Sequence, residues 1–210
     1  MNKRQQEIAQ LLLQIKAIKL NPATPFAWAS GWKSPIYCDN RKTLSFPEVR
    51  NVIRDAFAEI IREKYPQAEG IVGVATGAIA HGILVADVLG LPFLYVRSSA
   101  KDHGMQNLIE GDYKVGGRYV VVEDLISTGG SSLKAVDALR QAGCEVLGMV
   151  AIFTYNFPAA NEKFSANQCT LDTLSHYDAL IEQALHSGYV KASEVEILRK
   201  WRLSPDTWMQ

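Results

Sequence analysis

The sequence has no net charge, no paired-cysteine motif and no apolar run of membrane length. Lys and Arg total 22, and Asp and Glu total 22. Wholesale nucleic-acid binding needs a basic excess, so that class is set aside, while a local basic cluster can still hold a small anion. The three cysteines, Cys38, Cys144 and Cys169, are far apart and show neither Cys-x-x-Cys nor zinc spacing. Reduced, mostly buried thiols are expected. Charge or glycine breaks each apolar run well short of the ~18 residues a membrane helix needs. Glu7, Gln10 and Gln14 interrupt the first apolar stretch, which reads as a helix of a cytoplasmic protein rather than a leader.

What is present is an ordinary globular composition, 48% hydrophobic and 21% charged over 210 residues. A chain of this length buries roughly 70% of its unfolded surface, enough for one core. Ile8, Leu11, Leu12 and Ile15 recur at helical spacing. An irregular, aromatic and proline-punctuated stretch follows. The pattern predicts a second helix from about Ser45, with Ser45 and Glu48 at capping-box spacing.

From Gly70 short apolar runs alternate with helical patterns. GIVGVA, PFLYV, RYVVVE and EVLGMVAIF read as strands; AIAHGILVADVL and SSLKAVDALRQA read as helices ended by Gly90 and Gly143. This alternation predicts an α/β fold with a mostly parallel sheet flanked by helices. Helices near 175–187 and 193–202 are expected beyond it, the latter with a Ser193/Glu196 capping box.

Residues 120–132, VVVEDLISTGGSS, carry the chemistry. Ligands of a parallel sheet sit outside the carboxyl ends of its strands. Ser127, Thr128, Ser131 and Ser132 offer hydroxyls there, and Gly129 and Gly130 let backbone N–H groups approach an anion. The helix start adds unpaired N–H groups. No lysine follows the glycines, so this is neither a Walker A nor a dinucleotide turn. Glu123 and Asp124 precede the turn, and carboxylates beside a phosphate site suit a ligand that also carries hydroxyls or Mg²⁺. The turn VATGAIAHG, 74–82, is a second anion candidate.

The stretch 120–132 resembles the signature of type I phosphoribosyltransferases, two acids before a Thr-Gly-Gly turn. VRSSAKDHG, 96–104, is similar to the catalytic loop of the orotate phosphoribosyltransferases, and FAWASGWKSPIYCDNR, 26–41, resembles their N-terminal Ser-Gly-x-x-Ser-Pro segment. The resemblance implies a type I phosphoribosyltransferase fold with a small N-terminal hood over the base. It divides the chain into the hood at 1–48, a core at 49–155 and a C-terminal helical extension at 156–210. It implies transfer of the phosphoribosyl group from phosphoribosyl pyrophosphate to orotate, giving orotidine 5′-phosphate and pyrophosphate, with Mg²⁺. It also implies a homodimer whose catalytic loop reaches the neighbouring subunit's site.

By the same resemblance Arg97, Lys101, His103 and Asp124 are the catalytic residues. The phosphoribosyl pyrophosphate contacts comprise those four with Glu123, Leu125, Ile126, Ser127, Thr128, Gly129, Gly130 and Ser131, and Thr76 and Gly77 of the second turn. Arg97, Lys101 and His103 suit the negative charge that builds on departing pyrophosphate. Ser127, Arg41 and Lys33 are nominated for orotate. Some relatives carry lysine where this chain has Ala29 and Gly77, a second basic residue at Ser98, and an orotate-contacting arginine at Tyr155. A purine-specific phosphoribosyltransferase and a regulatory protein that keeps the fold are the alternatives.

Overall fold

The computed structural model describes residues 2–27, 31–98 and 108–208. Helix α1, Lys3–Gln14, starts at a capping box in which Asn2 accepts from the Gln5 N–H and Gln5 from that of Asn2. Its buried face is Ile8, Ala9, Leu12 and Leu13, with Leu11 and Ile15 only partly covered. Two antiparallel ribbons follow. In the first, β1 (Ile18–Leu20) pairs with β4 (Ile36–Cys38). Between them β2 (Phe26–Ala27) pairs with β3 (Lys33–Ser34).

A 3-10 helix, Asn40–Ser45, leads into α2, Pro47–Lys64. The expected Ser45/Glu48 capping box does not form: Ser45 ends the 3-10 helix and no side chain caps α2. Pro47 starts the helix instead, its fixed φ suiting the first helical position.

The core is a six-stranded sheet. Its strands are β5 (Gly70–Val74), β6 (Phe93–Val96), β7 (Ile109–Glu110), β8 (Arg118–Ile126), β9 (Glu145–Thr154) and β10 (Leu171–His176). They lie in the order β10-β9-β8-β5-β6-β7, parallel except for the β6–β7 pair. Helices α3 (Ile79–Leu89) and α4 (Gly130–Gln141) follow β5 and β8. The all-buried β5 and the Val120–Val121–Val122 run of β8 reflect a sheet covered on both faces.

Helix α5, Pro158–Ala166, and strands β7 and β10 were not foreseen from sequence. The segment LDTLSH of β10 is half polar, and its parallel register on β9 supplies the order that its own pattern lacks. Helices α6 (Tyr177–His186) and α7 (Ala192–Leu203) complete the chain. The Ser193/Glu196 box is replaced by Glu194, which accepts from the Lys191 N–H at 2.7 Å, while Glu196 pairs with Lys200. Cys38, Cys144 and Cys169 are free thiols. Among the described residues, no helix is long and apolar enough to cross a membrane.

The C-terminal helices are fastened to the sheet by aromatic packing. Trp201 of α7 is fully buried, with its ring centre 5.6 Å from Tyr155, 5.5 Å from Phe157 and 5.5 Å from Tyr177. Truncating so large a buried side chain leaves a cavity that the surroundings fill only in part. Trp201→Ala is expected to lower the unfolding free energy by about 3–5 kcal/mol in one urea transition. A separate early transition would instead mean that the C-terminal helices unfold on their own.

Candidate active site

Strand β8 runs on through Asp124 to Ile126, so its last residues stand at the carboxyl end of the sheet. The two adjacent acids lie close enough for their carboxyl groups to interact, and both line one hollow. Glu123 is 5% exposed; its carboxylate accepts from Ser132 Oγ at 2.8 Å and from the Asp124 N–H at 2.9 Å. Burial first, and then the Asp124 charge, push its pKa up to about 8. Glu123 thus braces α4 against the strand.

Asp124 is half-buried and lines a hollow of about 300 Å³ together with Glu123, Asp39, Arg41, Ala75 and Ser131. The turn after β5 is laid against it. A Cβ placed on Gly77 would stand 2.5 Å from an Asp124 carboxylate oxygen, so any side chain there would require the Asp124 carboxyl to turn away. Thr76 is exposed beside Gly77, and the Ala75–Thr76 peptide is cis.

Beyond β8 the chain turns into α4 through Gly129, whose φ of 76° is left-handed. Phe164 of α5 packs under it, within 2.8 Å of where a Cβ would sit. No side chain caps α4 and its first turn holds no acid, so the N–H groups from Gly130 onward favour an anion. Ser127 is half-buried, Thr128 and Ser131 are exposed, and Ile126 is buried with its carbonyl accepting from the Tyr155 N–H at 3.1 Å. Tyr155 itself is buried among aromatic rings and faces neither hollow.

A second hollow, of about 430 Å³, adjoins the first at Val74, Ala75 and Ser131 and is lined also by Arg97, Ser98 and Lys134. Arg97 Nη1 has no hydrogen-bond acceptor and stands 3.6 Å from Glu110 Oε1. The sheet therefore brings together Arg97, Asp124, the 127–131 turn and Arg41. Lys33 is exposed on the β2–β3 ribbon and lines neither hollow. Lys101 and His103 lie outside the described residues.

Residues not singled out from sequence complete the site. Arg41 is bonded to Asp39 at 2.7 Å, a contact that holds the Asp39 carboxyl below its usual value. Asn40 donates to the Asp124 carbonyl at 2.6 Å. His81 is buried beside Thr43, and burial pushes its pKa down to about 4. The segment 26–41 marked this neighbourhood, but one-dimensional spacing does not show which side chains turn inward.

Residues 43–182 match the phosphoribosyl transferase domain, and the chain belongs to that family. Within it the chain is 60% identical over 201 residues to an orotate phosphoribosyltransferase of Porphyromonas gingivalis, covering 96% of both chains. One from Lactococcus lactis subsp. cremoris is 54% identical over 201 residues, again covering 96% of each. The crystal structure of orotate phosphoribosyltransferase from Aeropyrum pernix superposes with a TM-score of 0.76 at 27% identity, covering 88% of this chain and 99% of that one. These likenesses bear out the fold and place the chain in the orotate branch.

Because the folded pKa of Glu123 is raised above 4.5, its neutral form favours folding below that value, and this contribution is lost as pH rises through about 8. Glu123→Gln is expected to flatten the fall in unfolding free energy between these pH values in urea titrations. An unchanged pH slope would contradict the assigned environment.

Proposed function

We propose that the chain transfers the 5-phosphoribosyl group of phosphoribosyl pyrophosphate to orotate, making orotidine 5′-phosphate and pyrophosphate in pyrimidine synthesis. One juxtaposition carries the reading: the Asp124 carboxylate faces a hollow beside the uncapped start of α4. A hydroxyl acceptor next to an anion-binding turn matches a sugar phosphate. The orotate phosphoribosyltransferases to which the chain is 54–60% identical support the choice of base.

In this reading the 127–131 turn holds the 5-phosphate through backbone N–H groups. Asp124 accepts hydrogen bonds from the ribose hydroxyls and offsets the positive charge that develops on the ring as the bond from C1 to pyrophosphate breaks. Arg97, with Lys101 and His103, neutralises the leaving group. Arg41, on the hollow and within the field of Asp124, is the better candidate for the orotate carboxylate; Lys33 stands apart.

Among the described residues no cluster of three or more His, Cys, Asp or Glu side chains could hold a metal. Mg²⁺ commonly takes one or two carboxylates together with substrate phosphates, so the exposed side of the Asp124 carboxylate suits an ion that arrives on pyrophosphate. Such an ion would screen charge on the leaving group. The resemblance of residues 96–104 supports a cytoplasmic homodimer in which Lys101 and His103 serve the partner's site.

Purified protein with orotate, phosphoribosyl pyrophosphate and Mg²⁺ is expected to consume orotate, read as loss of its absorbance. Activity with adenine or hypoxanthine instead would replace the base assignment. Arg41→Ala is expected to raise the orotate KM by about tenfold or more, the scale of a lost charge-assisted bond, while Lys33→Ala leaves it unchanged. The reverse pattern would move the carboxylate anchor to Lys33.

A further inference from the structure

A chain of buried polar contacts, closed through the start of α3, ties the hood to the carboxyl end of the sheet. Asn40 is 1% exposed, and its Nδ2 donates to the Asp124 main-chain oxygen at 2.6 Å. Its Oδ1 accepts from Cys38 Sγ at 3.3 Å. The Asn40 carbonyl accepts from Thr43 Oγ1 at 2.6 Å, and that hydroxyl lies 3.2 Å from His81 Nε2. Thr43 is fully buried and His81 is 2% exposed.

A threonine hydroxyl has one proton, and here it goes to Asn40. Thr43 therefore accepts from His81, whose Nε2 carries the hydrogen. His81 belongs to the first turns of α3, the helix that continues from Gly77, and Gly77 abuts the Asp124 carboxylate. The path from Asp124 through Asn40, Thr43, His81 and Gly77 thus returns to Asp124. Its members come from the hood side, the turn after β5 and the end of β8. Asp39 and Arg41, which flank Asn40, both line the hollow.

We propose that Asn40, Thr43 and His81 are positioning residues that hold the Asp124 carboxylate, the Gly77 turn and Arg41 in one register, so that the sugar and base sides of the site form together. This builds on the reading of Asp124 as the ribose-binding carboxylate. None of the three need touch the substrate. Their effect passes through the Asp124 main chain, which a hydrogen-bond donor at Asn40 fixes directly. A packing role alone would need only the volume of these side chains; the circuit needs their donors.

The test separates donors from volume. Asn40→Asp keeps the shape but removes the amide donor facing Asp124. His81→Leu removes the ring donor, and His81→Gln places an amide N–H at similar reach. Each variant is compared with the wild type for melting temperature, for kcat with orotate, and for phosphoribosyl pyrophosphate affinity with Mg²⁺ by calorimetry. We expect Asn40→Asp and His81→Leu to lower kcat per folded protein and weaken phosphoribosyl pyrophosphate binding by about tenfold or more, the scale of a buried hydrogen bond. His81→Gln is expected to recover most of both. Melting temperatures that fall while kcat and affinity stay within about twofold would overturn the proposal and leave a structural role. Should the wild type ignore orotate, calorimetry still decides: unchanged affinity in Asn40→Asp and His81→Leu overturns the circuit, and weakened affinity upholds it.

Discussion

The approach of the Gly77 backbone to the Asp124 carboxylate is the constraint around which the site is arranged. A Cβ at position 77 would stand 2.5 Å from a carboxylate oxygen, so glycine there lets the turn after β5 lie against the Asp124 carboxyl without turning it away. The sheet makes this contact possible, because β5 and β8 are hydrogen-bonded neighbours running in the same direction. Their carboxyl ends, and the turns that follow, open on the same edge. Positive charge is present on the hollows at Arg97, beyond β6, and at Arg41.

The adjacent acids show how one strand assigns two roles. Glu123 is bonded to Ser132 and held largely neutral by burial, so it fixes the start of α4. Asp124, one residue on, is less buried and lines the same hollow. The same α4 start is supported from below by Phe164, whose ring fills the space beneath Gly129. An anion-binding turn built from glycine and serine has little stiffness of its own. Here a buried carboxyl on one side and an aromatic ring on the other supply it.

Much of this was legible in the sequence. The strands at 70–74, 93–96, 118–126 and 145–154 and the helices between them follow from apolar runs punctuated by Gly90 and Gly143. Such signals are local. Strands β7 and β10 escaped because their order comes from pairing with β6 and β9 rather than from their own alternation. The Ser45 and Ser193 capping boxes failed because spacing permits a cap without requiring one: Pro47 and Glu194 did the work. Asp124, Ser131 and Arg41 line one hollow and Arg97 the one beside it, whereas Lys33 stands apart on its ribbon. Asn40 and His81 lie within the segments 26–41 and 74–82, but nothing there marks their side chains, and only the fold, which brings residues 40 and 124 together, links them with Thr43.

The central claim is that Asp124 is the carboxylate that grips the ribose. Asp124→Asn preserves its shape and its main-chain bond to Asn40 while removing the charge. Calorimetric titration of that variant with phosphoribosyl pyrophosphate and Mg²⁺, alongside the wild type, tests the claim directly. The account predicts affinity weakened by about tenfold or more with an unchanged melting temperature, as expected for loss of charge-assisted hydrogen bonds to the sugar. Equal affinity in the two proteins would contradict it and place the ribose elsewhere on the sheet edge.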